Sequence, residues 1–170
     1  MREWEKAAHI VRDAGGRIVG RTKLQKVAYL LELAGLGDKF PFEYRHYGPY
    51  SEELSDAIRA ADVFGLVSET EHPASWGGLY SIFEALEPAG EKAPGLRSEF
   101  AEKLAGIDSV ELELAATAAF LSAEEKQDDP WGETERRKPE KANDGRLEKA
   151  QQAYRELLKS NTPKKLPQIA

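Results

Sequence analysis

The sequence contains no cysteine and only one methionine. Without thiols there is no disulfide framework, no thiolate nucleophile and no cysteine-held metal centre. That absence suits a reducing compartment. No apolar run approaches the roughly 20 residues needed to cross a bilayer as a helix, so no membrane association is expected. Residues 1–16 scatter charges through their apolar positions, which does not suit a secretory signal, and the cytoplasm is the expected location. Histidine occurs at positions 9, 46 and 72, without H-x-x-x-H or H-E-x-x-H spacing, so neither a metal site nor a cofactor is expected. The G-x-S-x-G elbow and the phosphate-cradling G-x-x-x-x-G-K-[ST] loop are also missing. Carboxylates near the turns of "GDKFPFE" and "DDPWGE" are what any acidic surface carries. A non-enzyme is therefore expected, and no catalytic residue is assigned. The net charge of −6 argues against an undirected nucleic-acid coat but leaves room for a local basic patch.

What is present is ordered by helical periodicity. The length of 170 residues suits one domain with its own core. Trp4, Ala7, Ala8 and Val11 share one helical face, which Gly15-Gly16 ends. Residues 17–19 form a short extended piece. Thr22 and Gln25 have the spacing of a capping box opening a helix with Leu24, Val27, Ala28 and Leu31 as its buried stripe. Phe40, Phe42 and Tyr44 alternate as in an extended segment, and Gly48-Pro49 then breaks the chain. Ser51 caps the next helix, whose first turn holds Glu52 and Glu53 and whose apolar stripe runs from Leu54 to Phe64. "LVSET" (66–70) and "LYSIF" (79–83) read as the strands of a hairpin. Helices follow at 96–105, 109–122 and 145–160.

The expected fold is mainly α (α+β). A winged-helix-like half at 1–86, with a short β-hairpin, precedes a helical C-terminal half of the same domain at 87–160. Residues 161–170 read as a frayed tail. Residues 124–149 hold nine acidic and seven basic side chains, a mixture that suits a solvated connector. Trp131 lies inside it, and an indole is costly to leave in water, so it is expected to dock.

The segments "GRTKLQKVAYLLE", "FPFEYRHYGPYSEEL", "IRAADVFGLV" and "LELAATAAFLS" together resemble the YwgA-like bacterial proteins. More distantly they resemble the Panacea (SocA-like) antitoxin domains, which carry a K-L-Q-K-x-x-Y-L helix and a Y-G-P turn. The resemblance covers roughly residues 16–122. It implies a small, mostly helical or winged-helix-like fold and no catalytic residues. The Panacea side of it implies an antitoxin or adaptor role with a toxin as partner.

The residues themselves favour a protein partner. Tyr50 and His46 border the aromatic turn, a composition common at interface hot spots. Trp131, Arg136 and Arg137 offer an anchor and a basic cluster for the same purpose. The alternative is a DNA-binding transcriptional regulator of the winged-helix type. In that reading helix 51–64 would enter the major groove, but it carries Glu52, Glu53, Asp56 and Asp62 against the single cation Arg59, and phosphates repel such a surface. Arg17, Arg21, Lys23 and Lys26 would then touch the backbone rather than read bases. The expected function is a non-enzymatic cytoplasmic regulatory or adaptor module that binds another protein. The resemblance supplies a toxin–antitoxin or phage-related setting; oligomeric state is left open.

Overall fold

A computed structural model describes residues 1–169. In chain order the elements are α1 (Glu3–Asp13), β1 (Arg17–Val19), α2 (Arg21–Leu33), β2 (Glu43–Arg45), β3 (Gly48–Tyr50), α3 (Glu52–Val63), β4 (Val67–Pro73) and β5 (Leu79–Ala85). A 3-10 turn at Glu87–Ala89 leads to α4 (Leu96–Ala105), α5 (Ser109–Ala123), α6 (Pro130–Arg137), α7 (Pro139–Ala142) and α8 (Arg146–Leu158). The fold is α+β. In its N-terminal part α1, α2 and α3 pack beside an antiparallel sheet of order β1-β5-β4, from which β4 and β5 project as a hairpin wing. A second, small hairpin, β2-β3, is inserted between α2 and α3.

Ser51 caps α3 as expected, its hydroxyl accepting from the Leu54 amide at 3.2 Å. The capping box at Thr22 does not form. The helix begins at Arg21, two residues before a Thr22 cap would start it, because Gly20 turns the chain at φ +101° while its amide donates to the Ser81 carbonyl of the wing. Gly48-Pro49 is not the break either. Residues 46–47 make the turn, and Gly48 and Pro49 lie within β3, opposite Arg45 and Tyr44.

The core is organised around α5, in which every residue from Leu112 to Leu121 is buried. A helix apolar on all sides belongs in the middle of a protein. One side of α5 packs on α2 and β3 and the other on α6 and α8, so it joins the N-terminal part to the C-terminal helices. The connector expected at 124–149 is instead largely helical. Asp129 caps α6 by accepting from the Gly132 amide at 3.1 Å, with Pro130 in the first turn. Its charges are neighbours on the helix surface: Glu133 takes both Arg136 and Arg137, and Arg137 also reaches Glu125.

Trp131 is 5% exposed and meets the Tyr154 ring edge-on at 5.9 Å, so the indole docks on the C-terminal helices. The tail is not frayed over its described residues. Leu166 is buried, the Lys164 amide donates to the Ala34 carbonyl, and the Tyr154 hydroxyl donates to the Pro167 carbonyl at 2.6 Å. A single buried leucine and two main-chain acceptors hold the strap against α2 and α8. Position 170 lies outside the described residues.

Candidate partner-binding face

The sequence segments K-L-Q-K and Y-G-P-Y meet in space. Strand β3 pairs with β2 along one edge only. Alternate residues of a strand present their main-chain groups to the same edge, so the other edge offers the groups of Pro49 and Ser51. Side chains of α2 satisfy them. The Lys26 ammonium donates to the Pro49 carbonyl at 2.7 Å. Gln25 makes a two-way bond with Ser51: its amide donates to the Ser51 carbonyl at 2.9 Å and accepts from the Ser51 amide at 2.8 Å. Proline at 49 costs nothing here, because that edge asks only for its carbonyl. These contacts seat the turn on α2.

Lys26, expected on the surface, is 1% exposed. Burial lowers its pKa to about 7. The Lys138 and Lys141 ammonium groups add to the shift, and Glu113 opposes it. Glu113, buried on α5, accepts from Lys138 at 3.0 Å and from Lys141 at 2.8 Å. Lys138 also donates to the His46 carbonyl at 3.2 Å. The tip of the turn is thereby tied to α5, α6 and α7 through one carboxylate. Gly48 completes the fit. Its φ is +95°, and a Cβ there would lie 2.5 Å from the Thr117 hydroxyl of α5.

Above this support, Arg21 and Gln25 of α2, Ile58 and Arg59 of α3, Phe83 of β5 and the tyrosines 47 and 50 surround an open cleft of about 270 Å³. Glu69 crosses its wing side. That carboxylate accepts from Arg21 at 2.9 and 2.7 Å and from the Ser81 hydroxyl at 2.7 Å. Tyr47 is half-exposed, and the Arg45 guanidinium lies 5.2 Å from the centre of the Tyr50 ring. Beyond the cleft the wing ends in exposed apolar side chains: Trp76 is 74% exposed and Leu79 61%, with Tyr80 beside them. Phe83 lines the cleft and side chains alternate along a strand, so Ser81 and Leu79 face the same side.

The expected site residues divide accordingly. His46 is exposed on the turn, against Tyr47, and Tyr50 lines the cleft. Arg21 and Lys26 border the same cleft, Lys26 as a buried support rather than a free cation. Lys23 turns away to donate to the Ala105 carbonyl at 2.9 Å, and Arg17 sits on β1 opposite Glu84. Trp131 is spent on the core. Arg137 lies between Glu125 and Glu133, with its guanidinium 4.9 Å from the Tyr44 ring centre, and Arg136 is exposed beside Glu133. Trp76 and Leu79 were missed as candidates: a hairpin tip of "PASWGGL" signals a turn, and nothing in its periodicity tells an inward from an outward indole. Glu113 was missed because it sits in an otherwise apolar helix far along the chain from Lys26. Among the described residues no cluster of metal-ligating side chains occurs, and no helix is long and apolar enough to cross a membrane.

No protein-family model matches the chain. Over 94 residues it is 32% identical to the uncharacterized protein YwgA of Bacillus subtilis (strain 168), a stretch that covers 53% of this chain and 52% of that protein. The chain thus spans about half the length of this curated relative. The likeness accords with the YwgA-like resemblance read from the motifs.

Proposed function

We propose that the chain is a non-enzymatic regulatory or adaptor module that works by binding another protein. The observation that carries this reading is the exposed apolar wing tip, Trp76 and Leu79, on the same hairpin whose Glu69 and Phe83 line a cleft beside an acidic α3. Large side chains left in water in one place mark an interaction surface. Tryptophan and tyrosine are the residues on which binding energy concentrates. The helix that would read DNA in a winged-helix protein exposes Glu52, Glu53, Asp56 and Asp62, which duplex phosphates repel. The rigid seating of the turn supports the same reading, since a pre-ordered surface loses little entropy on binding. An antitoxin-like or phage-defence-associated role is the setting suggested by the motif resemblance.

The test compares the tagged chain with its Trp76→Ser/Leu79→Ser variant, both recovered from the source cells and quantified by mass spectrometry. A protein retained by the parent and lost from the variant is expected, with both chains melting alike. Identical recovered sets would count against the reading if the parent also shifts its own upstream duplex in a sequence-dependent way.

A further inference from the structure

We infer that the cleft binds an extended peptide segment of the partner, placing an acidic side chain between Arg21 and Arg59 and a bulky apolar side chain against Leu79. This rests on the protein-binding reading and names the chemistry of the segment. Of the charged residues lining the cleft, Lys26 is a buried support and Arg21 and Glu69 pair with each other, so Arg59 leaves the cleft one cation in excess in a protein of net charge −6. Glu69 is already engaged through Oε2 by Arg21 and Ser81. Arg59 has no comparable partner. Its nearest carboxylate, Asp56, is 3.8 Å away with both groups well exposed, a pairing of little energetic weight. A guanidinium held so loosely is free to close on an incoming carboxylate, and a charge-assisted contact of that kind is strong and directional.

The surroundings set the limit on the anion. Glu52, Glu53, Asp56 and Asp62 lie along the same helix as Arg59, so one carboxylate finds a local positive spot while a chain of phosphates meets repulsion. The apolar half of the motif follows from strand geometry. Leu79 stands four residues from Phe83 on the same face of β5, about 13 Å along the strand at its usual rise. An extended peptide therefore matches the face when its acidic and apolar side chains are themselves about four residues apart.

The probe is the synthetic peptide acetyl-Ser-Leu-Thr-Ser-Thr-Glu-Ser-amide, titrated into the isotopically labelled chain and followed by amide chemical shifts. Saturable shifts are expected at Ser55, Arg59, Phe83 and Leu79, with a dissociation constant on the order of millimolar or tighter. The same peptide with lysine in place of glutamate should leave the cleft amides unmoved. One with serine in place of leucine should leave Leu79 unmoved. The Arg59→Gln variant, a change on an exposed side chain whose nearest carboxylate is Asp56 at 3.8 Å, should melt like the parent and bind about tenfold more weakly, the scale of one lost charge-assisted contact. Equal binding of the lysine peptide, or shifts confined to other surfaces, would overturn the inference. So would tighter cleft binding of adenosine monophosphate than of the peptide, since that would make the cleft a small-anion site. If no peptide shift occurs while Trp76→Ser/Leu79→Ser still loses a cellular protein, the inference fails and the protein-binding reading stands.

Discussion

Lys26 is fully buried, and the Glu113 carboxylate whose charge favours its protonated form is already bound by two other lysines, Lys138 and Lys141. Desolvation disfavours its charged form, and its pKa falls from 10.5 to about 7. In the unfolded chain the same amine keeps its ordinary value, so between these limits the unfolded state binds more protons than the folded one. The Lys26 contribution to stability is therefore complete above about pH 10.5 and is lost as pH falls through about 7. Lys26→Met should remove that slope. Denaturant melts from pH 6.5 to 9.5 should show the parent gaining on the variant with rising pH, by on the order of a few kcal/mol across the window. Parallel curves would mean that the ammonium finds solvent. Gly48 offers a second residue-scale test. Gly48→Val places a branched side chain at φ +95° and against Thr117, and the strained backbone alone costs about 1–3 kcal/mol. Thr117→Ala in the same background should recover the steric part and leave the backbone part, as read from thermal unfolding midpoints. The Y-G-P segment pointed to an unusual backbone angle at Gly48, but not to its place inside β3 or its close approach to Thr117. The burial of Lys26 was not legible, because its position next to Gln25 in a cationic helix start looks like a solvated face until Pro49 and Glu113 are brought to it.

At the scale of elements, the helices and the wing were legible where one periodic stripe meets one core. The spans 96–105 and 109–122 agree with α4 and α5 to within a residue, and α8 at Arg146–Leu158 lies inside the expected 145–160. Strand β4 runs on to Pro73, because Glu71, His72 and Pro73 pair with Ser81, Tyr80 and Leu79 without being buried, and β5 runs on to Ala85, because Glu84 and Ala85 pair with Ser68 and Val67. The charged stretch was misread for a different reason. Composition alone makes it a connector, whereas the spacing of Glu133, Arg136 and Arg137 lets its charges pair along a helix that Trp131 pins down. Trp131→Ala should cost about 3–5 kcal/mol, the usual range for deleting a buried aromatic. Amide exchange should then rise first in α6, α7 and α8, since these elements lose a shared anchor. Uniform acceleration over the whole chain would instead mean that the C-terminal helices and the N-terminal part unfold as one unit.

For the molecule as a whole, α5 makes the turn a rigid object. Gln25 and Lys26 hold it from one side, and Lys138, through Glu113, holds it from the other. The result is a face with a fixed aromatic turn, a cationic cleft and an apolar wing tip. His46 and Tyr50 were singled out by residue type, and the structure places Tyr50 at the cleft and His46 on the turn beside Tyr47. The wing tip was not legible, since its outward direction is set by the strand register that pairs Pro73 with Leu79. The relative in Bacillus subtilis is itself uncharacterized and is matched over about half its length, so the functional reading rests on this face. Its central claim is that the wing and cleft contact a protein. A photo-reactive phenylalanine analogue placed at Leu79, and separately at exposed Arg155 on α8, tests it in living source cells. The account predicts a discrete protein adduct from position 79, weakened by Arg59→Gln and absent from position 155. An adduct at position 79 that nuclease digestion removes, or equal protein labelling from both positions, would contradict it.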